Sequence, residues 1–292
     1  MFSVMKSKSN YRSFKFAVIL VITLLIILIY YNKMVSKRII VYKNVDEIST
    51  LTNKYTELNK IQTIALSDGV EMEFQLINPG SFMMGEDEWI GDSDESPKHK
   101  VTITQPFYLG KYEVTQEQWV AIMGNNPSTF KGEKNPVDTV SWDECQIFIQ
   151  KLSEKTGKKF SLPTEAQWEF ACRAGTTTQW NFGENENIAV DYAWINENSN
   201  KTTHPVGSKE PNAWGIYDMY GNIQEWCADW YTNKYKIDDY TDPIGPSYGD
   251  SRVVRGGGWG ESPIDIRSSY RNCNGSDGKS DGIGFRCVML VE

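Results

Sequence analysis

The segment Asp218-Met219-Tyr220-Gly221-Asn222-Ile223-Gln224-Glu225 gathers two carboxylates, an amide and a glycine that lets carbonyls turn inward. Calcium takes about six to eight oxygens from such a mixture. The segment is therefore a candidate calcium loop, against the competing reading of a tight turn whose acids face water. The stretch from Asn272 to Asp281 has a similar composition but no recognised ligand order. Cys145, Cys172, Cys227, Cys273 and Cys287 form no C-x-x-C, which removes zinc-ribbon and thioredoxin chemistry. His99 and His204 are the only histidines, too few for most histidine-based metal sites and a poor start for a Ser-His-Asp hydrolase. There is no Walker A loop, dinucleotide glycine fingerprint, H-E-x-x-H or G-x-S-x-G. Ser276-Asp277-Gly278-Lys279 fits S-x-x-K, but it sits in a glycine-rich loop without a supporting motif and reads as chance.

These residues need a scaffold, and the composition provides for one. Hydrophobic residues make up 40% of the 292 and charged residues 23%, enough apolar material for a real core. The net charge of −8 hides a split. Residues 1–38 carry seven Lys/Arg and no Asp/Glu, so the remaining 23 basic and 38 acidic groups give a balance of −15. A body this acidic repels phosphate, and nucleic acid is not an expected partner.

The apolar run at residues 16–31 is broken only by Thr23 and follows Lys6, Lys8, Arg12 and Lys15. Lys15 and Lys33 can snorkel, Tyr30 and Tyr31 suit the interface, and no small-x-small cleavage pattern follows. This predicts a single-pass signal anchor at 16–32, with a basic cytoplasmic segment at 1–15 and the body facing the periplasm or cell exterior. Ile48, Leu51, Tyr55 and Leu58 recur at helical spacing and predict a helical stalk over 33–66.

The body, 67–292, reads as one α+β domain with long loops. Strand-like segments fall at 73–77, 100–104 and 252–254. Helices are expected at 116–123 after Thr115, at 142–153 after Ser141 with Glu144 completing a capping box, and at 165–171 after Pro163-Thr164. The Gly-, Asn-, Asp- and Pro-rich remainder needs aromatics, disulfides or a bound cation to staple it. With the body outside the cytoplasm, one or two disulfides are expected, and the odd cysteine count leaves at least one thiol.

Seven motifs then occur in order: PGSFMMG (79–85), PFYLGKYEVTQEQW (106–119), NPVDTVSWDE (135–144), LPTEAQWEFACRAG (162–175), HPVGSKEPNAWGIYDMYGNIQEWCADW (204–230), RVVRGGGW (252–259) and GFRC (284–287). Together they resemble the formylglycine-generating enzyme, or sulfatase-modifying factor, family over about 67–291. The resemblance implies an irregular C-type-lectin-like α+β fold. It also implies calcium held by the side chains of Asp218 and Glu225 and the carbonyls of Gly221 and Ile223. A second family calcium site uses an Asn after a Tyr-Ala pair; here Trp194 follows Tyr192-Ala193, so that site is not expected. At GFRC, the resemblance implies a structural disulfide through Cys287.

The departures are as informative. Family oxidases hold Cu(I) with two cysteines just after an RGGS turn. Here those positions are Glu261 and Ile266, and Gly258 replaces the Ser. Neither residue replaces a thiolate, so copper and cysteine oxidation are not expected. The iron-dependent sulfoxide synthase branch needs a histidine-rich domain that this sequence does not contain. The leading expectation is a binding or assembly module, with Trp259, Glu261, Asp265 and Arg267 lining a former catalytic groove that takes an extracytoplasmic peptide, glycan or protein. The alternative is an enzyme of the same family that modifies a protein side chain. A bland role for Trp259 and Arg267, as core supports, also stands.

Overall fold

The computed structural model describes residues 60–291. The expected cytoplasmic segment, the anchor at 16–32 and most of the stalk lie outside the described residues. Among the described residues no helix is long and apolar enough to cross a membrane.

The last part of the predicted stalk is a strand. β1 (Ile61–Ser67) turns through Asp68-Gly69 into β2 (Val70–Ile77), with Ile61 opposite Gln75 and Ser67 opposite Val70. The reason is visible in the burial pattern: Ile64 and Leu66 are buried while Thr63, Ala65 and Ser67 are not. That alternation of period two fits a half-buried strand, not a helix. The folded body therefore begins some residues before the expected boundary at 67.

β1 and β2 open a five-stranded sheet completed by β5 (Phe107–Gly110), β12 (Val288–Leu290) and β6 (Phe160–Ser161), in the order β1-β2-β5-β12-β6. A three-stranded sheet joins β3 (Gly80–Met84), β4 (His99–Ile103) and β8 (Tyr240–Thr241). The third sheet runs β10 (Arg271–Asn274), β9 (Arg252–Arg255), β7 (Gln224–Trp230) and β11 (Ile283–Gly284).

Three helices start where the sequence places them. α1 (Gln116–Met123), α2 (Trp142–Thr156) and α3 (Glu165–Arg173) each have a full capping box, built on Thr115 with Gln118, Ser141 with Glu144, and Thr164 with Gln167. Each box satisfies backbone N–H groups that the first turn leaves open. Trp119 stacks on Phe148 with ring centroids 5.3 Å apart, and Phe285 meets both edge-on, so the C-terminal segment is locked between α1 and α2. Trp168 and Trp226 are wholly buried.

The long loops are stapled by ion pairs rather than by disulfides. All five cysteines are free thiols, including Cys287, where the family resemblance implied a bridge. Cys145, Cys172, Cys227 and Cys287 are buried, and burial pushes their thiols up. Arginines take the stapling role. Arg255 reaches Glu169, Arg173 Nε lies 2.8 Å from Glu169 Oε1, and Arg271 Nε lies 2.6 Å from Glu165 Oε1, all with side chains almost fully buried. Each guanidinium also donates to loop carbonyls, such as Thr178 from Arg173 and Asp94 and Thr232 from Arg271.

Candidate functional site

β9 ends in a turn through Gly256 and Gly257 that delivers the chain to the short 3-10 turn Pro263–Ile266. Gly257 has φ +65°, and a Cβ there would meet Ile266 Cγ2 at 2.4 Å, so the turn and Ile266 pack without space to spare. Ile266 is fully buried in the core. Glu261 closes the turn: its Oε2 accepts the Gly258 N–H at 3.0 Å and its Oε1 accepts the Gln224 amide at 2.6 Å. Trp259 is half-buried, with its indole N–H on the Asp281 carbonyl at 3.2 Å and its ring edge-on to Phe130.

These residues border an open groove of about 540 Å³ lined by Trp259, Glu261, Asp265, Tyr270, Asp281 and the amides of Asn196 and Gln224. No Lys, Arg, His or Cys lines it among the described residues. Burial, followed by Asp265 and Glu261, pushes the Tyr270 hydroxyl up to about 12, so it stays protonated as a donor. Three of the four expected groove residues therefore meet. Arg267 does not: it is 3% exposed, makes a fork to Glu95 at 2.7 and 2.8 Å, and its Nε donates to the Ile264 carbonyl. It clamps the 86–96 loop to the 3-10 turn, close to the supporting role the sequence had left open. Glu95 stands 172 positions away, and no local pattern in the sequence links the two.

The candidate calcium loop leads into β7. Gly221 has φ +70°, and a Cβ there would lie 2.2 Å from the Trp194 carbonyl oxygen, so only glycine fits. Asp218, Ile223 and Glu225 are buried. Glu225 is held by Arg286 through both oxygens at 2.6 Å, and its Oε2 also accepts the Trp168 indole N–H at 2.9 Å. Asp218 Oδ2 accepts the Gly207 N–H at 2.7 Å, while its Oδ1 is buried with no partner.

Glu113, which the sequence reading did not single out, completes the cluster. Its oxygens accept the Asn222 amide and the Ile223 N–H at 2.7 and 3.2 Å. Burial, then the charges of Asp218 and Glu225, push Glu113 well above the usual carboxyl range. Burial raises Asp218 to about 6 against the pull of the Gly207 N–H and Arg286. Glu113, Asp218 and Glu225 thus share one neighbourhood, in which Arg286 pairs with Glu225 and Arg286 and Lys209 both favour the Asp218 carboxylate. The orphaned Asp218 oxygen and the all-oxygen donor set fit a hard cation. Arg286 and Trp168 leave Glu225 with little capacity, so the fit rests chiefly on Asp218 and backbone carbonyls. No group of three His, Cys, Asp or Glu among the described residues is placed to hold a metal by side chains alone. Copper does not fit: Glu261 is already engaged at both oxygens and Ile266 has no donor atom.

The family model for the sulfatase-modifying factor enzyme 1-like domain matches residues 67–291. The chain belongs to this family. Among curated relatives, the sulfatase-modifying factor domain is 32% identical over 247 residues to the chaperone protein LppX of Paenibacillus barcinonensis, covering 67% of this chain and 84% of that protein. It is 33% identical over 179 residues to the formylglycine-generating enzyme of Streptomyces coelicolor, covering 55% of each. It is 32% identical to the serine/threonine-protein kinase pkn1 of Chlamydia caviae over 83% of this chain, but spans only 41% of that protein. Among solved structures, Treponema denticola variable protein 1 superposes with a TM-score of 0.75 at 30% identity, over 80% of this chain and all of that one. PvdO from Pseudomonas aeruginosa gives a TM-score of 0.70 at the same identity and coverage. The expected mixed helix-and-sheet family fold is therefore the observed one.

Proposed function

We propose that this sulfatase-modifying factor domain is a membrane-tethered ligand-binding or assembly module without copper chemistry. The observation that carries the reading is the state of the two positions where family oxidases place thiolates. Glu261 is a hard carboxylate tied into its own turn, and Ile266 is sealed in the core. Soft Cu(I) has nothing there to bind. The groove beside them persists, with an aromatic wall, amides and acceptor oxygens, and affinity in such a groove rests on shape and anchors rather than on chemistry. Its ligand is an extracytoplasmic peptide, glycan or protein. Residues 16–32 hold the domain at the membrane, with residues 1–15 inside and the body on the far side. Calcium, held chiefly by Asp218 and the carbonyls of Gly221 and Ile223 beside a Glu225 that Arg286 and Trp168 already engage, orders the 218–225 segment. The relative named a chaperone supports a binding role. The relatives named formylglycine-generating enzymes favour the alternative, an enzyme that modifies a protein side chain.

Incubation of the full chain with a Cys-x-Pro-x-Arg peptide and added copper tests the reading. No formylglycine is expected, and measured turnover overturns it. Affinity capture from membranes supplies the positive arm: Trp259→Ala should lower recovery of the captured ligand with an unchanged melting temperature. A destabilised Trp259→Ala protein would return Trp259 to a purely supporting role.

A further inference from the structure

A cavity of about 320 Å³ lies between the 231–250 segment and the body. It is not the groove described above: Tyr270 lines the groove, whereas Arg271, next in sequence, lines this cavity. Its walls are largely apolar. Met84, Ala166 and Trp230 come from the body, and Tyr240, Pro243 and Ile244 from the covering segment. The His99 ring joins them, its centroid 4.7 Å from that of Tyr235 and 5.4 Å from that of Tyr240. The polar groups within are mostly engaged with one another. Glu165 accepts from Arg271 and from the Tyr235 hydroxyl. Arg271 also donates to the carbonyls of Asp94 and Thr232. Asp229 Oδ2 accepts the Glu165 N–H at 2.8 Å. Burial, then the Glu165 charge, push the Asp229 carboxyl to about 7, so below that pH it adds little charge.

What the lining leaves over is positive. Its charged side chains are Lys234, Lys236 and Arg271 against Glu165 and Asp229, and Arg271 and Glu165 cancel as a buried pair. His99 in either protonation state does not change this sign. Lys234 lies 3.3 Å from Glu88, but both side chains are more than half exposed, and a pair of that kind contributes little and exchanges readily. Lys236 makes no ion pair among the described residues. Both lysines are exposed, so they stand at the mouth while the rings wall the interior. In a body where acidic groups outnumber basic ones, a ring-walled box with two ammonium groups at its opening reverses the local sign. Its complement is an apolar body that ends in one negative charge. The body leaves water against the rings, and the anion meets the lysines at the mouth. The volume lies at the lower end of the roughly 300–1,000 Å³ of small-ligand sites, which suits a single ring or a short chain.

We propose that this cavity is a second binding site, which takes a small free carboxylic acid with an aryl or short alkyl body and pairs its carboxylate with Lys234 and Lys236. The site is independent of the groove, so Trp259→Ala should leave it intact.

The test uses the full chain in a mild detergent at about pH 6, where a simple carboxylic acid is ionised and Asp229 is largely not. Hydrocinnamate, hydrocinnamyl alcohol and the corresponding amine are titrated by calorimetry, each against a blank of detergent alone. Saturable binding of the acid is expected, at least about tenfold tighter than the alcohol and weakening as salt rises, with no measurable binding of the amine. The double variant Lys234→Gln, Lys236→Gln changes two exposed side chains. It should bring the acid to the alcohol's affinity and leave the alcohol's affinity and the melting temperature unchanged. Ala166→Leu, which fills the box, should weaken acid and alcohol alike by roughly tenfold. No saturable binding of the acid overturns the proposal, as does equal binding of acid and alcohol, or acid binding unchanged in the folded lysine variant. An alanine-alanine-phenylalanine peptide that binds at least about tenfold tighter than hydrocinnamate, and loses binding on C-terminal amidation, overturns the free acid in favour of a partner's C-terminus.

Discussion

Asp229→Asn should stabilise the protein at neutral and alkaline pH and leave it almost unchanged in acid. Asp229 is 4% exposed and caps the start of α3 through the Glu165 N–H at 2.8 Å. Burial, and then the neighbouring Glu165 carboxylate, push its carboxyl from 3.8 to about 7, against the opposing pull of the Glu165 N–H and Arg271. The unfolded chain loses this proton above pH 3.8, whereas the native state keeps it until about 7. The native state therefore holds the extra proton across that window. Stability falls as pH rises through it and is level above. At about 1.4 kcal/mol for each tenfold change, the penalty approaches roughly 4 kcal/mol above pH 7, roughly 3 at pH 6 and under about 1 at pH 4. Asparagine keeps an oxygen for the Glu165 N–H and does not ionise, so it removes the penalty alone. Urea unfolding of wild type and variant at pH 4, 6 and 8 measures the difference directly. A gain growing from pH 4 to pH 8 is expected. A variant destabilised by the same amount at every pH would mean that Asp229 serves as an ionised helix cap, and would refute the reasoning.

Chelator should lower the melting temperature and calcium restore it, by about 2.7 kcal/mol at a hundredfold excess over Kd; Asp218→Asn, which tolerates the local φ of +53°, should abolish that response. Arg267→Ala leaves the Glu95 carboxylate buried and unpaired and should cost about 3–5 kcal/mol by thermal melting, a loss foreign to a residue that merely touches a ligand. Titration of the native protein with a thiol reagent should find one accessible cysteine, the half-buried Cys273, and five after denaturation without reductant; fewer than five would mean that a bridge forms.

Local signals in the sequence were reliable wherever the physics was local. Thr115, Ser141 and Thr164 begin helices because each side chain closes a box within its own first turn, and all three starts were legible. That Glu261 and Ile266 offer no thiolate was legible from their residue types alone. The stalk boundary failed because Ile61, Ile64 and Leu66 carry too few apolar positions to separate a strand from the end of a helix before β2 is known to lie opposite. Arg267 was misplaced for a different reason. Arginine after a glycine turn suits a groove and a buried clamp equally, and only the distant Glu95 decides between them. Glu113 was hidden in the same way: its neighbours Asp218 and Glu225 come from a segment more than a hundred residues later. Disulfides were expected where long loops needed staples, but the arginines that replace them give no spacing signal.

β12 lies between β5 and β6, so an interior place in the five-stranded sheet, one in from its β6 edge, is filled by the last of the described strands in chain order. Its neighbours come from residues 107–110 and 160–161, and Phe285 just before it keys into the Trp119–Phe148 stack. A chain emerging from its N-terminus can form the β1–β2 hairpin and the helices early, yet it holds an open slot edged by unpaired strands until residues 283–290 arrive. Closure by such sequence-distant pairing is slow, and the waiting edges invite foreign strands. Closure of this sheet therefore waits on residues 283–290, and a copy cut before them should expose strand edges rather than act as a partly working module.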